Sequence, residues 1–119
     1  MDFKLEQIAI AATDISKMVK FYKAVFKIEF AEIKYSGATL FAGKVGDIRI
    51  MLAPNEIAGV KAEENRHQFD FIVQDIDELI KIAEESGGKL QGNIENNNKE
   101  KTVTILDPDN NTMNFKQKL

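Results

Sequence analysis

An internal repeat limits the fold of this 119-residue chain more than any other feature of its sequence. The segment QIAIAATDISKMVKFY, which begins at Gln7, corresponds to the segment QFDFIVQDIDELIKIA, which begins at Gln68. In both segments the Gln stands seven residues before an Asp, Asp14 or Asp75, at the predicted start of a helix. Self-similarity of this kind indicates two copies of one supersecondary unit.

The first copy predicts a strand, a helix and three further strands. Residues 5–12 alternate as a half-buried strand does, and Thr13-Asp14 provides an N-cap for an amphipathic helix that reaches Phe26. Turn-forming dipeptides, Ser36-Gly37 and Gly46-Asp47, separate the strands that follow. These strands are predicted at about 28–35, 38–44 and 47–53.

The second copy repeats this order after a polar, charged stretch at about 54–66, which is interpreted as a linker. A strand is predicted over 67–73, and Asp75 caps a helix that ends at Ser86-Gly87-Gly88, where glycine tolerates the left-handed conformation of a helix C-terminus. The last three strands are predicted at about 89–93, 101–106 and 112–117.

Charge and composition exclude several classes of partner and chemistry. The 16 basic and 19 acidic residues are spread along the chain, and no basic run could neutralise a row of phosphates, so nucleic acid is not an expected partner. No apolar run approaches the ~20 residues that span a bilayer, and no secretory signal is recognised, so we expect a cytoplasmic protein without membrane contact. The absence of cysteine excludes disulfides, thiolate metal sites and cysteine nucleophiles.

The duplicated unit, with the tracts AIAATDISKMVKFYKAVFKIEF, DFIVQDIDELIKIAEESGG and ILDPDNNTMNFKQ, resembles the vicinal-oxygen-chelate superfamily of glyoxalases, bleomycin-resistance proteins and extradiol dioxygenases. The resemblance covers essentially the whole chain. It implies an α+β fold in which two βαβββ modules form an open, cup-shaped mixed β-barrel with the helices outside and a ligand on the concave face. One domain is expected over 1–119, with modules at about 1–55 and 67–119, and a homodimer is expected.

The resemblance also identifies the four positions at which metal-dependent members carry His or Glu ligands. In this chain the residues at those positions are Gln7, Met51, Gln68 and Asn114. Neutral amides are poor ligands for divalent transition metals, and a thioether suits Cu(I). We therefore expect neither a metal nor a cofactor. His67, the single histidine, lies one residue from an inherited position and is expected to point away from the cup.

Side chains with the same strand parity as these four positions are predicted to face the cup, and the opposite parity predicts a helix-facing core. Arg49 could hold a carboxylate or a phosphate by a two-pronged hydrogen bond; an ion pair with Asp70 and simple solvation are the alternatives. Tyr35 and Phe41 are further candidates for ligand contact whose facing the pattern leaves open. The predicted ligand-binding residues are Gln7, Arg49, Met51, Gln68, Asp70, Thr104 and Asn114.

Three functions remain open on the sequence. The first is a metal-independent protein that binds a small molecule, similar to the antibiotic-binding branch of the superfamily. The second is a metal-dependent lyase, isomerase or dioxygenase, which would require a different ligand set, such as His67 with acidic neighbours. The third is a non-catalytic, dimeric interaction module. Metal content separates the second function from the first, and a blocked cup would favour the third.

Overall fold

The computed structural model describes residues 2, 4–60, 63, 65 and 67–119. The chain divides into two compact units, residues 1–61 and 62–119, which are called module one and module two below. Among the residues described, no helix is long and apolar enough to cross a membrane.

Module one follows the predicted order and adds one short helix. Its elements are β1 (Gln7–Ala12), α1 (Ile15–Phe26), β2 (Ala31–Tyr35), β3 (Ala38–Val45), β4 (Ile48–Pro54) and α2 (Asn55–Ala58). The sheet has the order β1-β4-β3-β2, and β1 runs parallel to β4 while the other pairs are antiparallel. The side chain of Asp14 accepts a hydrogen bond from the N–H of Lys17, as an N-cap does. The predicted start of α1 is therefore confirmed.

Module two repeats the strand order of module one. Its elements are β5 (Phe69–Ile72), α3 (Ile76–Glu85), β6 (Lys89–Asn96), β7 (Glu100–Leu106) and β8 (Thr112–Lys118). The sheet order is β5-β8-β7-β6, with β5 parallel to β8. Asp75 caps α3 through the N–H of Glu78. The α+β class and the two βαβββ modules are thus confirmed.

Alternation along the strands separates a buried apolar set from a polar set. In module two the buried set is Val103, Ile105, Met113 and Phe115, each at most 4% exposed, and Thr102, Thr104 and Asn114 alternate with them. In module one the buried Ile50 and Leu52 alternate with Arg49 and Met51. The prediction is wrong at two strand ends, because Ile48 and Phe69 are 44% and 38% exposed.

The start of β5 differs from the prediction because a side chain takes the place of a strand partner. The strand begins at Phe69 rather than residue 67. At that point the Asn65 side chain accepts a hydrogen bond from the N–H of Thr112 and donates to the carbonyl oxygens of Thr112 and His67. These bonds occupy the first backbone groups of β8, so His67 and Gln68 lie outside the ladder.

Other boundaries also differ: β1 begins at Gln7 rather than residue 5, and several strand ends differ by one residue. The predicted linker begins with α2, which ends at Gly59 with a φ of 72°; its residues 61, 62, 64 and 66 lie outside the described part of the chain. Strand β2 begins at Ala31 rather than residue 28, because Lys27 ends α1 in a left-handed conformation and Ile28 is buried. Strand β6 continues to Asn96 through an irregularity in its pairing with β7.

Candidate functional site

Four predicted ligand-binding residues of module two lie together in one hydrogen-bonded network. The Asn114 side chain is at its centre: Nδ2 donates to Gln68 Oε1 at 3.0 Å and to Asp70 Oδ1 at 2.9 Å. Oδ1 of Asn114 accepts from the Thr104 hydroxyl at 2.7 Å. Gln68 in turn donates to the Thr112 hydroxyl at 2.8 Å. The Asn114 amide thus has three partners within its own module.

The strand register explains why these side chains meet. Asp70 on β5 and Thr104 on β7 both lie opposite Asn114 on β8. Residues opposite one another in a sheet share a face and have their Cβ atoms ~5 Å apart. Gln68 precedes β5 by one residue and still reaches the same face. The predicted parity of these four residues therefore agrees with the structure.

A pocket of about 420 Å³ opens on this face of module two. Three members of the network, Asp70, Thr104 and Asn114, line it. The remaining lining residues come from all four strands of the sheet: Phe71, Gln91, Gly92, Asn93, Glu95, Thr102, Val103, Phe115 and Lys116. The volume lies within the range of small-molecule sites in proteins.

A bulge in the edge strand β6 forms one wall of the pocket. Gln91 pairs with Thr104 and Glu95 pairs with Thr102, so four steps along β6 correspond to two along β7. Gly92 has a φ of 71° within this segment. Such bulges bend a strand and redirect side chains, often beside binding sites. The bulge was not predicted, although Gly92 within a strand pattern is a known sign of one.

The charged groups at the pocket are mainly acidic. Asp70 and Glu95 contribute carboxylates, and Lys116 contributes an ammonium group. The Nζ of Lys116 lies 3.7 Å from Oε2 of Glu100, so its charge is already partly balanced. The pocket therefore suits a ligand with hydrogen-bond donors better than a bare anion.

The other three predicted residues, Gln7, Arg49 and Met51, lie on one face of the sheet of module one. Gln7 on β1 is opposite Arg49 on β4, and Met51 is two residues further along β4. The Nε atom of Arg49 is buried and has no hydrogen-bond partner among the residues that the structure describes. Lys44 on β3 is also opposite Arg49. This face therefore carries two cations and an amide in one row.

The residues at the inherited ligand positions do not fit a catalytic metal. In module two the amides of Gln68 and Asn114 are hydrogen-bonded to neighbouring side chains. In module one Gln7 and Met51 flank the guanidinium of Arg49, whose charge repels a divalent cation. Among the described residues no group of three or more His, Cys, Asp or Glu side chains could hold a metal ion.

The structure also shows where the other candidate residues lie, namely Tyr35, Phe41 and His67. Tyr35 lies on β2 opposite Ala38, shares the sheet face of Met51 and is 57% exposed. Phe41 lies opposite Leu52, on the other face, and its ring is 6.4 Å from that of Phe30. Phe41 is therefore partly buried on the face opposite to that of Arg49 and Met51, because a strand alternates its side chains between faces. His67 is exposed, and its carbonyl oxygen accepts from Asn65.

The model of the Glyoxalase/Bleomycin resistance protein/Dioxygenase superfamily matches residues 4–115 of the chain. The chain belongs to this superfamily, which confirms the resemblance found in the sequence. Comparison with curated proteins gives no match.

Solved structures support the same fold. A hypothetical protein from S. aureus has a TM-score of 0.80 and 16% identity, over 98% of this chain and 95% of that one. A glyoxalase/bleomycin resistance protein/dioxygenase family enzyme from Burkholderia phytofirmans PsJN has a TM-score of 0.77 and 21% identity, over 98% and 100%. The fosfomycin resistance protein FosX from Listeria monocytogenes has a TM-score of 0.75 and 18% identity, over 98% and 94%. At these identities the likeness establishes the fold alone.

Proposed function

We propose that this chain is a metal-independent binding protein that takes a polar small molecule into the pocket of module two. One observation carries the proposal: the residue at the inherited ligand position, Asn114, is an amide whose oxygen and nitrogen are both used by neighbouring side chains. A ligand would exchange hydrogen bonds with this network rather than bind through a metal. Asp70 and Thr104 supply the acceptor and donor beside it.

The pocket favours a ligand that offers hydrogen-bond donors. Carboxylate and amide oxygens accept such bonds, and the hydroxyl groups of Thr102 and Thr104 adapt to either role. The network also holds the Asn114 amide in one orientation before a ligand arrives. Such preorganisation lowers the entropy lost on binding.

The alternative is a metal-dependent enzyme, because a solved structure with the same fold contains a metal ion. One FosX structure from Listeria monocytogenes, of an E126Q mutant, is a complex with Mn(II) and 1S,2S-dihydroxypropylphosphonic acid. A neutral amide lacks the negative charge that helps to hold such an ion. We therefore expect no specific Mn(II) uptake by this chain.

Elemental analysis of untagged protein, followed by calorimetric titration with Zn(II), Ni(II), Mn(II) and Fe(II), tests the metal independence. The expected result is no stoichiometric metal and no saturable heat. One tightly bound ion per chain, lost in Gln68→Ala or Asn114→Ala, would overturn the proposal.

A ligand screen in the presence of a chelator tests the binding function. Polar metabolites are scored by the rise in thermal midpoint that a bound ligand produces. Compounds that stabilise the native chain are expected to lose this effect in Asn114→Ala and to keep it in Asn96→Ala, which changes an exposed amide on the same sheet. Retention of the full effect in Asn114→Ala would place the binding site elsewhere and overturn the proposal.

A further inference from the structure

Module one contains a cation with one buried hydrogen-bond donor that no described residue accepts from. The Nε of Arg49 is buried and has no hydrogen-bond partner in the described part of the chain, although Arg49 as a whole is only partly buried. Within the described part of module one the guanidinium forms no salt bridge either. Native proteins seldom leave a buried donor unpaired, because its desolvation is then uncompensated. An unpaired buried donor of this kind is typical of a position that accepts a ligand or an ion.

The neighbours of Arg49 on the sheet increase the positive charge. Lys44 lies opposite it on β3, is exposed, and has no salt bridge within the described residues of this module. Gln7 lies opposite it on β1 and adds an amide. Like charges directly opposite one another destabilise a sheet. The row Gln7-Arg49-Lys44, called the Arg49 row below, thus concentrates donors and positive charge, and no described carboxylate of module one forms a salt bridge with it.

We propose that the Arg49 row binds an oxyanion, a carboxylate or a phosphoryl group of a small molecule. A guanidinium presents Nε–H and Nη–H as a fork that matches two oxygens of such a group. The Lys44 ammonium adds a second charge, and the Gln7 amide adds a further donor. The proposal does not depend on the pocket of module two, and either proposal can fail without the other.

Side-chain NMR tests the site directly. The ¹⁵N resonance of Arg49 Nε is followed while sodium phosphate or sodium acetate replaces sodium chloride at constant ionic strength. The expected result is a saturable shift with at least one anion, and the two arms distinguish a phosphoryl group from a carboxylate. Absence of a saturable shift with both anions would overturn the proposal.

Variants test which side chains form the site. Binding of the anion that gives the saturable shift is measured through the backbone resonances of module one. Arg49→Met is expected to weaken this binding at least tenfold, and Lys44→Gln is expected to weaken it about threefold. Lys34→Gln is the matched control, because it removes the same charge from the opposite face of the sheet. Equal weakening by Lys34→Gln and Lys44→Gln would show unspecific attraction and contradict the proposal.

Thermal unfolding supplies an independent readout. In chloride buffer Arg49→Met is expected to raise the thermal midpoint, since it removes an unpaired buried donor and keeps an unbranched side chain. The responding anion is expected to raise the midpoint of the native chain and not that of the variant. A lower midpoint for Arg49→Met would show that the guanidinium stabilises the chain in the absence of an oxyanion, and would overturn the proposal.

Discussion

Asn114 and Asp70 lie opposite one another on the parallel strands β8 and β5, and the Asn114 amide donates a 2.9 Å hydrogen bond to the Asp70 carboxylate. This hydrogen bond requires the side-chain amide of Asn114, because a carboxylate at the same position could not donate it. The resemblance implies a Glu at this position in metal-dependent members, and a Glu at position 114 of this chain would place a second carboxylate beside Asp70. The amide and the neighbouring carboxylate are therefore complementary to each other without a metal.

Asn114→Asp should destabilise the protein. The change removes both N–H donors, leaves Gln68 without one of its partners and places a second carboxylate beside Asp70. We expect a loss of about 1–3 kcal/mol in the free energy of unfolding, measured by urea denaturation. Asn96→Asp, an exposed change on β6, should stay within about 0.5 kcal/mol of the native chain. Equal stability of the two variants would show that the network contributes nothing.

Gly92→Ala should strain the bulge that forms the pocket wall. An added Cβ meets no atom within 4 Å, so the cost comes from the φ of 71° alone. We expect a loss of about 1–2 kcal/mol in urea denaturation. Gly92→Asn should lose less, because Asn tolerates the left-handed region. If both variants are as stable as the native chain, the bulge relaxes freely in solution.

Gly43→Ala should overpack module one. A Cβ at this position would collide with Cγ2 of Ile28, which is 2% exposed, and would lie 3.0 Å from the carbonyl oxygen of Glu29. The expected loss is about 1–3 kcal/mol in the free energy of unfolding. Combination with Ile28→Leu, which removes the branch at Cβ, should recover part of this loss. Additive losses in the double variant would contradict a collision at Ile28.

Asp107→Ala should loosen the turn that leads into β8. The Asp107 side chain is 2% exposed and accepts hydrogen bonds from the N–H groups of Asp109 and Asn111 and from the side chain of Asn111. We expect a loss of about 2–4 kcal/mol, since several bonds to a buried carboxylate are removed together. Chemical denaturation gives the value.

Asn110→Gly is the matched change in the same turn. Asn110 has a φ of 67°, a region that glycine adopts without steric cost. This variant should gain up to about 1 kcal/mol. A loss in Asn110→Gly similar to that in Asp107→Ala would show that the turn responds to any substitution.

Three features of the sequence were sufficient to predict the order of the elements and the facing of most strand residues. These are the internal repeat, the alternation of apolar residues along strands and their helical spacing along helices. Alternation along a strand is a local property, so the two faces of each strand followed from parity. The resemblance, which identified the inherited positions, then predicted that Asp70, Thr104 and Asn114 share one face, and the register agrees. The N-caps at Asp14 and Asp75 were also local, because a cap bonds to a backbone group three residues away. These features needed no knowledge of the tertiary structure.

Pairing across long sequence separations was decided by the tertiary structure. Asn65 replaces a strand partner of Thr112, 47 residues away, and so moves the start of β5. The pairing of Phe41 with Leu52 places Phe41 on the sheet face opposite to that of Arg49 and Met51, whereas its own segment left the facing open.

The sequence by itself therefore determined the order of the elements and the two modules, because local periodicity and the repeat encode them, and its resemblance to the superfamily identified the inherited ligand positions. Only the tertiary structure decided that the Asn114 amide is fully partnered, that β6 bulges beside it and that the Arg49 Nε is unpaired. The physical reason is that hydrogen-bond satisfaction depends on strand register and on distances between residues far apart in the chain.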